Sequence, residues 1–215
     1  MSVLAKICGI NAPEAMAAAV EGGARYVGLV FYPPSPRCVS PEQAAALAAQ
    51  APEDVARVGL FVDADDAALR RVLDVVPLDI LQLHGSETPQ RVREVRERFG
   101  LKVMKAVRIA GPEDVARADL HVEAADRLLF DAQAPEGLAG ALPGGNGLAF
   151  DWQLLAAREW PLPWMLSGGL TAENLAEAVA ATGAVCVDVS SGVEQARGVK
   201  SPEKIRRFLA VAAGL

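Results

Sequence analysis

Cys8, Asp131 and Asp188 each close a short apolar run, the point at which a buried strand gives way to a loop. A carboxylate in such a place is costly unless it is hydrogen-bonded, paired or used in chemistry. A helix N-cap is the plain alternative for Asp188. For Asp131 that alternative is weak, because a Gly/Pro-rich stretch follows it rather than a helix. The thiol of Cys8 is a candidate base or nucleophile. Lys6 lies two residues earlier on the same strand face, where its ammonium is expected to favour the thiolate. Cys186, between valines, suits packing, and Cys38 follows Arg37 in a loop with no evident partner. The second kind of chemistry is anion binding. Ser167-Gly168-Gly169 and Ser190-Ser191-Gly192 supply backbone N–H groups, small hydroxyls and helix N-terminal dipoles, which together hold a phosphate without arginine. Either turn alone is also an ordinary strand-to-helix connection; their occurrence after two successive strands favours phosphate.

The elements that must position these groups are legible as eight apolar, β-branched runs: Val3 to Cys8, Tyr26 to Phe31, Val55 to Val62, Asp79 to Leu83, Lys102 to Val107, Arg127 to Asp131, Pro163 to Leu166 and Ala184 to Val189. Between them lie stretches of helical periodicity. Asn11-Ala12-Pro13-Glu14, Ser40-Pro41-Glu42-Gln43, Thr88-Pro89, Thr171 and Ser201-Pro202 offer capping side chains where helices begin, several with proline at the first helical position. Strict alternation implies parallel strands joined by right-handed crossovers. Eight such units close into a single (βα)8 barrel domain spanning residues 1–215, an α/β fold of the phosphate-binding TIM type. An open doubly wound sheet is the alternative. Cys8-Gly9-Ile10-Asn11 argues against it, because that first turn lacks the G-x-G-x-x-G spacing a dinucleotide would need. In a barrel, function gathers at the C-terminal strand ends, which is where the candidates above fall. The irregular stretch from Ala132 to Leu148, with seven Gly and Pro residues, is then expected to be an active-site loop.

Composition narrows the function further. A chain of 215 residues buries about 70% of its unfolded surface. With 52% hydrophobic and 5% aromatic residues, the core must be built from Ala, Val and Leu. A net charge of −6 without a basic cluster argues against a protein that grips nucleic acid by its phosphates. Three scattered cysteines form neither a disulfide framework nor a metal-ligand pattern, so a cytoplasmic protein without a metal is expected. Lys6 interrupts the first apolar run, no signal peptide is evident, and no stretch approaches the roughly 18 apolar residues of a membrane span. Monomer and homodimer are both compatible with the pattern.

Taken together, Lys6-Ile7-Cys8-Gly9, Val27 to Tyr32 with Arg37, Gln82-Leu83-His84-Gly85, Phe150-Asp151-Trp152, Ser167-Gly168-Gly169-Leu170 and Asp188 to Glu194 resemble the phosphoribosylanthranilate isomerases of tryptophan biosynthesis, almost end to end. The resemblance implies an Amadori rearrangement of a phosphorylated aminoaldose to an aminoketose, with no metal or organic cofactor. By matching position it implies Asp131 as general acid on the ribose ring oxygen and Cys8 as general base at C2′. It also implies Arg37 opposite the anthranilate carboxylate, Asp188 near the aromatic amine, and Gly145 and Gly147 of the loop against substrate. Ser167, Gly168, Gly169, Ser190, Ser191 and Gly192 would hold the phosphate. One departure is Asn146, where Ser or Thr is expected.

A free thiol near pKa 8.5 needs only about 2 kcal/mol to be a thiolate at pH 7, whereas an aspartic acid near 3.9 needs about 4 kcal/mol to stay protonated. Asp131 is therefore expected to be the more strongly tuned group, raised by its apolar strand and by a neighbouring negative charge. His84 is expected to hydrogen-bond the barrel rim, His121 to lie at the surface, and Lys6 and Lys105 to be paired ions rather than Schiff-base lysines. Two other functions remain compatible: a lyase or synthase built on a lysine, and a sensor that binds a sugar phosphate without chemistry.

Overall fold

In the computed structural model, residues 2–135, 137, 142–156 and 158–215 are described. Eight strands, β1 (Leu4–Cys8), β2 (Tyr26–Val30), β3 (Ala56–Phe61), β4 (Ile80–Leu83), β5 (Lys102–Ile109), β6 (Arg127–Ala132), β7 (Trp164–Leu166) and β8 (Cys186–Val189), pair in sequence order and close into a barrel. All eight junctions are parallel. The joint that closes the ring aligns Lys6 with Asp188, and the next aligns Cys8 with Gly28. The connecting helices are α1 (Pro13–Glu21), α2 (Pro41–Ala48), α3 (Asp66–Leu73), α4 (Pro89–Phe99), α5 (Pro112–Arg117), α6 (Gln153–Ala156), α7 (Leu175–Thr182) and α8 (Pro202–Ala213). An element not foreseen follows β8: a 3-10 turn at Ser191–Val193, then an antiparallel hairpin of β9 (Glu194–Ala196) and β10 (Val199–Lys200).

The helix starts follow the capping logic where the hydroxyl can reach. Ser40 Oγ accepts from the Gln43 N–H, Thr88 Oγ1 from Arg91 and Ser201 Oγ from Lys204. Two expected caps fail. Asn11 is drawn away to donate to the Gly198 carbonyl at 2.9 Å, leaving Ala12 to start α1 with no side-chain cap. Thr171 precedes the helix by a further turn, and α7 starts after Asn174.

Alternation along each strand sorts the apolar residues into two bodies. Outward residues such as Ile7, Val27, Leu81, Val103, Leu128 and Val187 pack under the helices in one large cluster. Inward residues Tyr26, Val58, Ile80, Met104, Leu129, Met165 and Cys186 form a separate plug that fills the lower barrel. Above the plug the interior turns polar with Lys6, Gln82 and Asp188, all at most 4% exposed. Among the described residues no helix is long and apolar enough to cross a membrane.

Candidate active site

The strand ends converge on one cleft at the C-terminal mouth of the barrel. Its walls include Cys8, Arg37, Gln82, His84, Asp131, the segment Leu142–Leu148, Ser167 to Leu170, and Asp188 to Ser191. With the exception of Gly192, every expected site residue lines this one cleft. Gly192 instead backs onto β7's loop, where any side chain would collide with the Leu170 carbonyl oxygen. Glycine at this position allows the close approach of the loops after β7 and β8.

The base side of the cleft is built by β1, β2 and β8. Cys8 is buried, and the Cα opposite it is Gly28. A Cβ at Gly28 would stand 3.0 Å from Cys8 Cα and Sγ and 3.3 Å from Lys6 Cε, so glycine is what lets thiol and ammonium sit side by side. Lys6 Nζ donates to Asp188 Oδ1 at 2.7 Å, and Asp188 Oδ2 accepts from Ser167 Oγ at 3.1 Å. Burial opposes the Lys6 charge, but the Asp188 carboxylate outweighs it and holds the ammonium above its ordinary pKa. Lys6 favours the Cys8 thiolate, as expected, but burial dominates, the Asp188 charge adds to it, and the thiol lies above its ordinary value. Asp188 is an ion-pair partner rather than an N-cap. Cys186 is core, its thiol pushed up to about 12 by burial.

On the acid side, Asp131 Oδ1 accepts from the Ala132 N–H at 2.9 Å. Its other oxygen lies 3.3 Å from His84 Nε2. The expected acidic neighbour is therefore an imidazole. The Gln82 amide lies 3.0 Å from His84 Nδ1 and, as a donor there, leaves the ring proton on Nε2, facing Asp131. The rim role expected for His84 understates this position. Lys105 is a paired ion, as expected, bound to Glu87 at 2.8 Å. His121, expected at the surface, is half-buried, and burial lowers its pKa to about 4.

The roof comes from the segment after β6. Residues 136 and 138–141, including Gly140, lie outside the described residues. Gly144 lies over the acid, since a Cβ there would stand 2.6 Å from both Asp131 Oδ2 and His84 Cε1. The Gly145 carbonyl accepts from Arg37 Nη2 at 3.1 Å, and Gly145 and Gly147 both have φ +72°. Asn146 accounts for its own presence. Its Oδ1 accepts from the Leu142 N–H at 2.9 Å and its Nδ2 donates to the Leu142 carbonyl at 2.7 Å, a two-point clamp that suits an amide's separate donor and acceptor.

The phosphate side differs from expectation in its chemistry. Ser167 Oγ is bound to Asp188, and Ser190 Oγ donates to the Cys8 carbonyl while accepting from Lys200. Both hydroxyls are thus engaged within the protein. The backbone is freer: among the described residues the N–H groups of Gly168 and Gly169 have no protein acceptor, and both line the cleft. Their φ angles of +88° and +63° are accessible to glycine, which lets successive amides form an anion nest.

Comparison with known proteins agrees with this geometry. The sequence profile described as N-(5'-phosphoribosyl)anthranilate isomerase matches residues 5–211. The enzyme of that name from Rhodospirillum centenum is 65% identical over 215 residues, all of both chains, and that from Paramagnetospirillum magneticum 56% over 214 residues, covering 100% and 99%. Among solved structures, phosphoribosyl anthranilate isomerase from Thermotoga maritima superposes with a TM-score of 0.88 at 39% identity, covering 99% of this chain and 100% of that one. A structure of such an isomerase in complex with reduced 1-(o-carboxyphenylamino)-1-deoxyribulose 5-phosphate gives 0.85 at 37% identity over the same shares. A 3-hexulose-6-phosphate synthase, 15% identical with a TM-score of 0.65, shares the fold alone.

Proposed function

The chain belongs to the N-(5'-phosphoribosyl)anthranilate isomerase family, and we propose that it performs this isomerisation in tryptophan biosynthesis with Asp131 as acid and Cys8 as base. Asp131 protonates the ribose ring oxygen, the C1′–O bond breaks, and the open chain becomes a protonated Schiff base of the aryl amine. The Cys8 thiolate removes the C2′ proton, giving an enolamine, and protonation at C1′ with loss of the proton on the C2′ hydroxyl yields the ketone. Two protons are given, at the ring oxygen and C1′, and two are taken, from C2′ and its hydroxyl, so the rearrangement is redox-neutral and needs no cofactor. The observation that carries this reading is the facing of a thiol and a carboxylate across one cleft that also holds free backbone amides at Gly168 and Gly169.

The remaining roles follow from what each group has left to offer. Gly168, Gly169 and Ser191 take the phosphate through backbone N–H groups. Arg37 meets the anthranilate carboxylate, Asp188 meets the aromatic amine, and Gly145 and Gly147 close over the ring. A lysine-based lyase is not favoured, since Lys6 and Lys105 are spent on Asp188 and Glu87, nor is a binding-only sensor, which would not require the thiol and carboxylate of Cys8 and Asp131 in one cleft. Three unpaired cysteines support a cytoplasmic location. A relative from Thermotoga maritima is described as dimeric, and sedimentation decides between monomer and homodimer for this chain.

The test is to generate phosphoribosylanthranilate and follow the loss of its anthranilate-like fluorescence against spontaneous hydrolysis. Cys8→Ala and Asp131→Asn are each expected to lower kcat by about 10²–10⁴-fold, with the fold intact by circular dichroism. Near-normal turnover in either variant would sink the assignment of that residue.

A further inference from the structure

Arg37 has five N–H donors in a rigid plane, and the direction in which it offers them decides what it recognises. Its Nε donates to Glu194 Oε1 at 2.6 Å and its Nη2 to Glu194 Oε2 at 3.0 Å, a fork on one edge of the guanidinium. The second Nη2 proton goes to the Gly145 carbonyl. Nη1 alone has no acceptor among the described residues, and Arg37 lines the cleft whereas Glu194 does not. The Glu194 carboxylate is in turn saturated: Lys200 Nζ donates to Oε1 at 2.9 Å and the Gly198 N–H to Oε2 at 3.0 Å. Burial would raise its pKa, but these partners, Arg37 foremost, hold it down at about 2, so it stays an anion.

We propose that Glu194 is a positioning residue for substrate recognition: it occupies the Nε/Nη2 edge of Arg37 and so presents Nη1 to the carboxylate of the aryl amine. The β9–β10 hairpin exists in this reading to deliver it. Lys200, on β10, also donates to the Ser190 carbonyl at 2.8 Å, so the same hairpin braces the loop after β8. An arginine without this brace would be free to swing into solvent. A lysine in its place has no planar fork, so it could not occupy both Glu194 oxygens and present a fixed donor to the ligand. The proposal rests on the reading of Arg37 as the carboxylate contact, and the test separates the two.

Two stable ligands serve as probes, made by reductive amination of ribose 5-phosphate with anthranilate and with aniline. They differ only in the carboxylate. Binding is measured by calorimetry for the wild type, Arg37→Ala, Glu194→Gln and Glu194→Asp, with thermal unfolding run alongside. A charged fork is worth enough that Glu194→Gln is expected to weaken the carboxylated ligand about tenfold while leaving the aniline ligand within about twofold. Glu194→Asp, which keeps the charge but withdraws it by one methylene, is expected to fall between, and it carries the test if the glutamine variant fails to fold. Equal weakening of both ligands would mean a merely structural role, and unchanged affinity for both would mean none; either overturns the proposal. If Arg37→Ala weakens both ligands equally or neither, the Arg37 reading itself falls. If Arg37→Ala selectively weakens the carboxylated ligand and neither Glu194 variant does, only the role of Glu194 falls.

Discussion

Gly28→Ala isolates the placement of the base from its chemistry, because the new atom touches neither the substrate nor the phosphate loops. The added Cβ would lie 3.0 Å from Cys8 Cα and Sγ. Carbon atoms in contact rest about 3.5–4.0 Å apart, so an overlap of roughly 0.5–1 Å must be relieved. The strand backbone cannot retreat, being paired to β2 on one side and β8 on the other. The relief must come from turning the thiol aside or from pushing Lys6 off Asp188. Overpacking of this kind costs about 1–3 kcal/mol. In a domain of this size each kcal/mol lowers the unfolding midpoint by about 2–4 °C. A thiol displaced by the order of 1 Å loses about 10²-fold in rate. The expected result is a folded enzyme with a midpoint lowered by several degrees, kcat down about a hundredfold and KM near the wild-type value. Fluorescence-monitored turnover and thermal melts measure the two halves. Wild-type kcat in a protein that is measurably destabilised would refute the reasoning, reducing Gly28 to packing.

The thiol of Cys8, raised by burial, makes kcat/KM rise with pH, with its limb on the alkaline side of the roughly 8.5 of a free thiol. A profile flat from neutrality upwards would contradict this. Lys6→Met leaves Asp188 buried without its partner and is expected to destabilise by about 3–5 kcal/mol, read from denaturant unfolding. Glu87 is subject to burial, which raises its pKa, but Lys105 outweighs burial and the carboxyl lies below its ordinary value. A group depressed in the folded state stabilises above its unfolded pKa, near 4.3, and that stability fades as pH falls further. Glu87→Gln should therefore flatten the acid limb of the melting temperature, and an unchanged limb would count against the pairing.

How far the sequence carries depends on whether a residue's partner is near in the chain or only in space. The eight apolar runs fix the strands because alternation and burial are local, and the observed ends fall within a residue or two of each run. Cys8 and Asp131 stand out because a polar group at the end of an apolar strand needs a reason. His84 looked unremarkable because its partner, Asp131, comes from two strands further round the barrel. Gly28 left a faint signal as a glycine inside a strand, but only the register opposite Cys8 gives it meaning. Ser167 and Ser190 look like phosphate ligands on paper, and Asp188 and the Cys8 carbonyl claim their hydroxyls across β8 and β1. Glu194 belongs to this class as well, since its partner is 157 residues away.

The apolar plug beneath Lys6 has a consequence for isotopes. Tyr26, Val58, Ile80, Met104, Leu129 and Met165 make the floor beneath Lys6 apolar, so hydrogen leaving C2′ meets bulk water chiefly through the mouth that the substrate covers. The exchangeable hydrogens within reach of the thiol are then few, chiefly the three on Lys6. Deuterium placed at C2′ should be diluted into that small reservoir rather than lost to bulk water. Its partial reappearance in the ketone would measure how many hydrogens exchange with the thiol within one turnover.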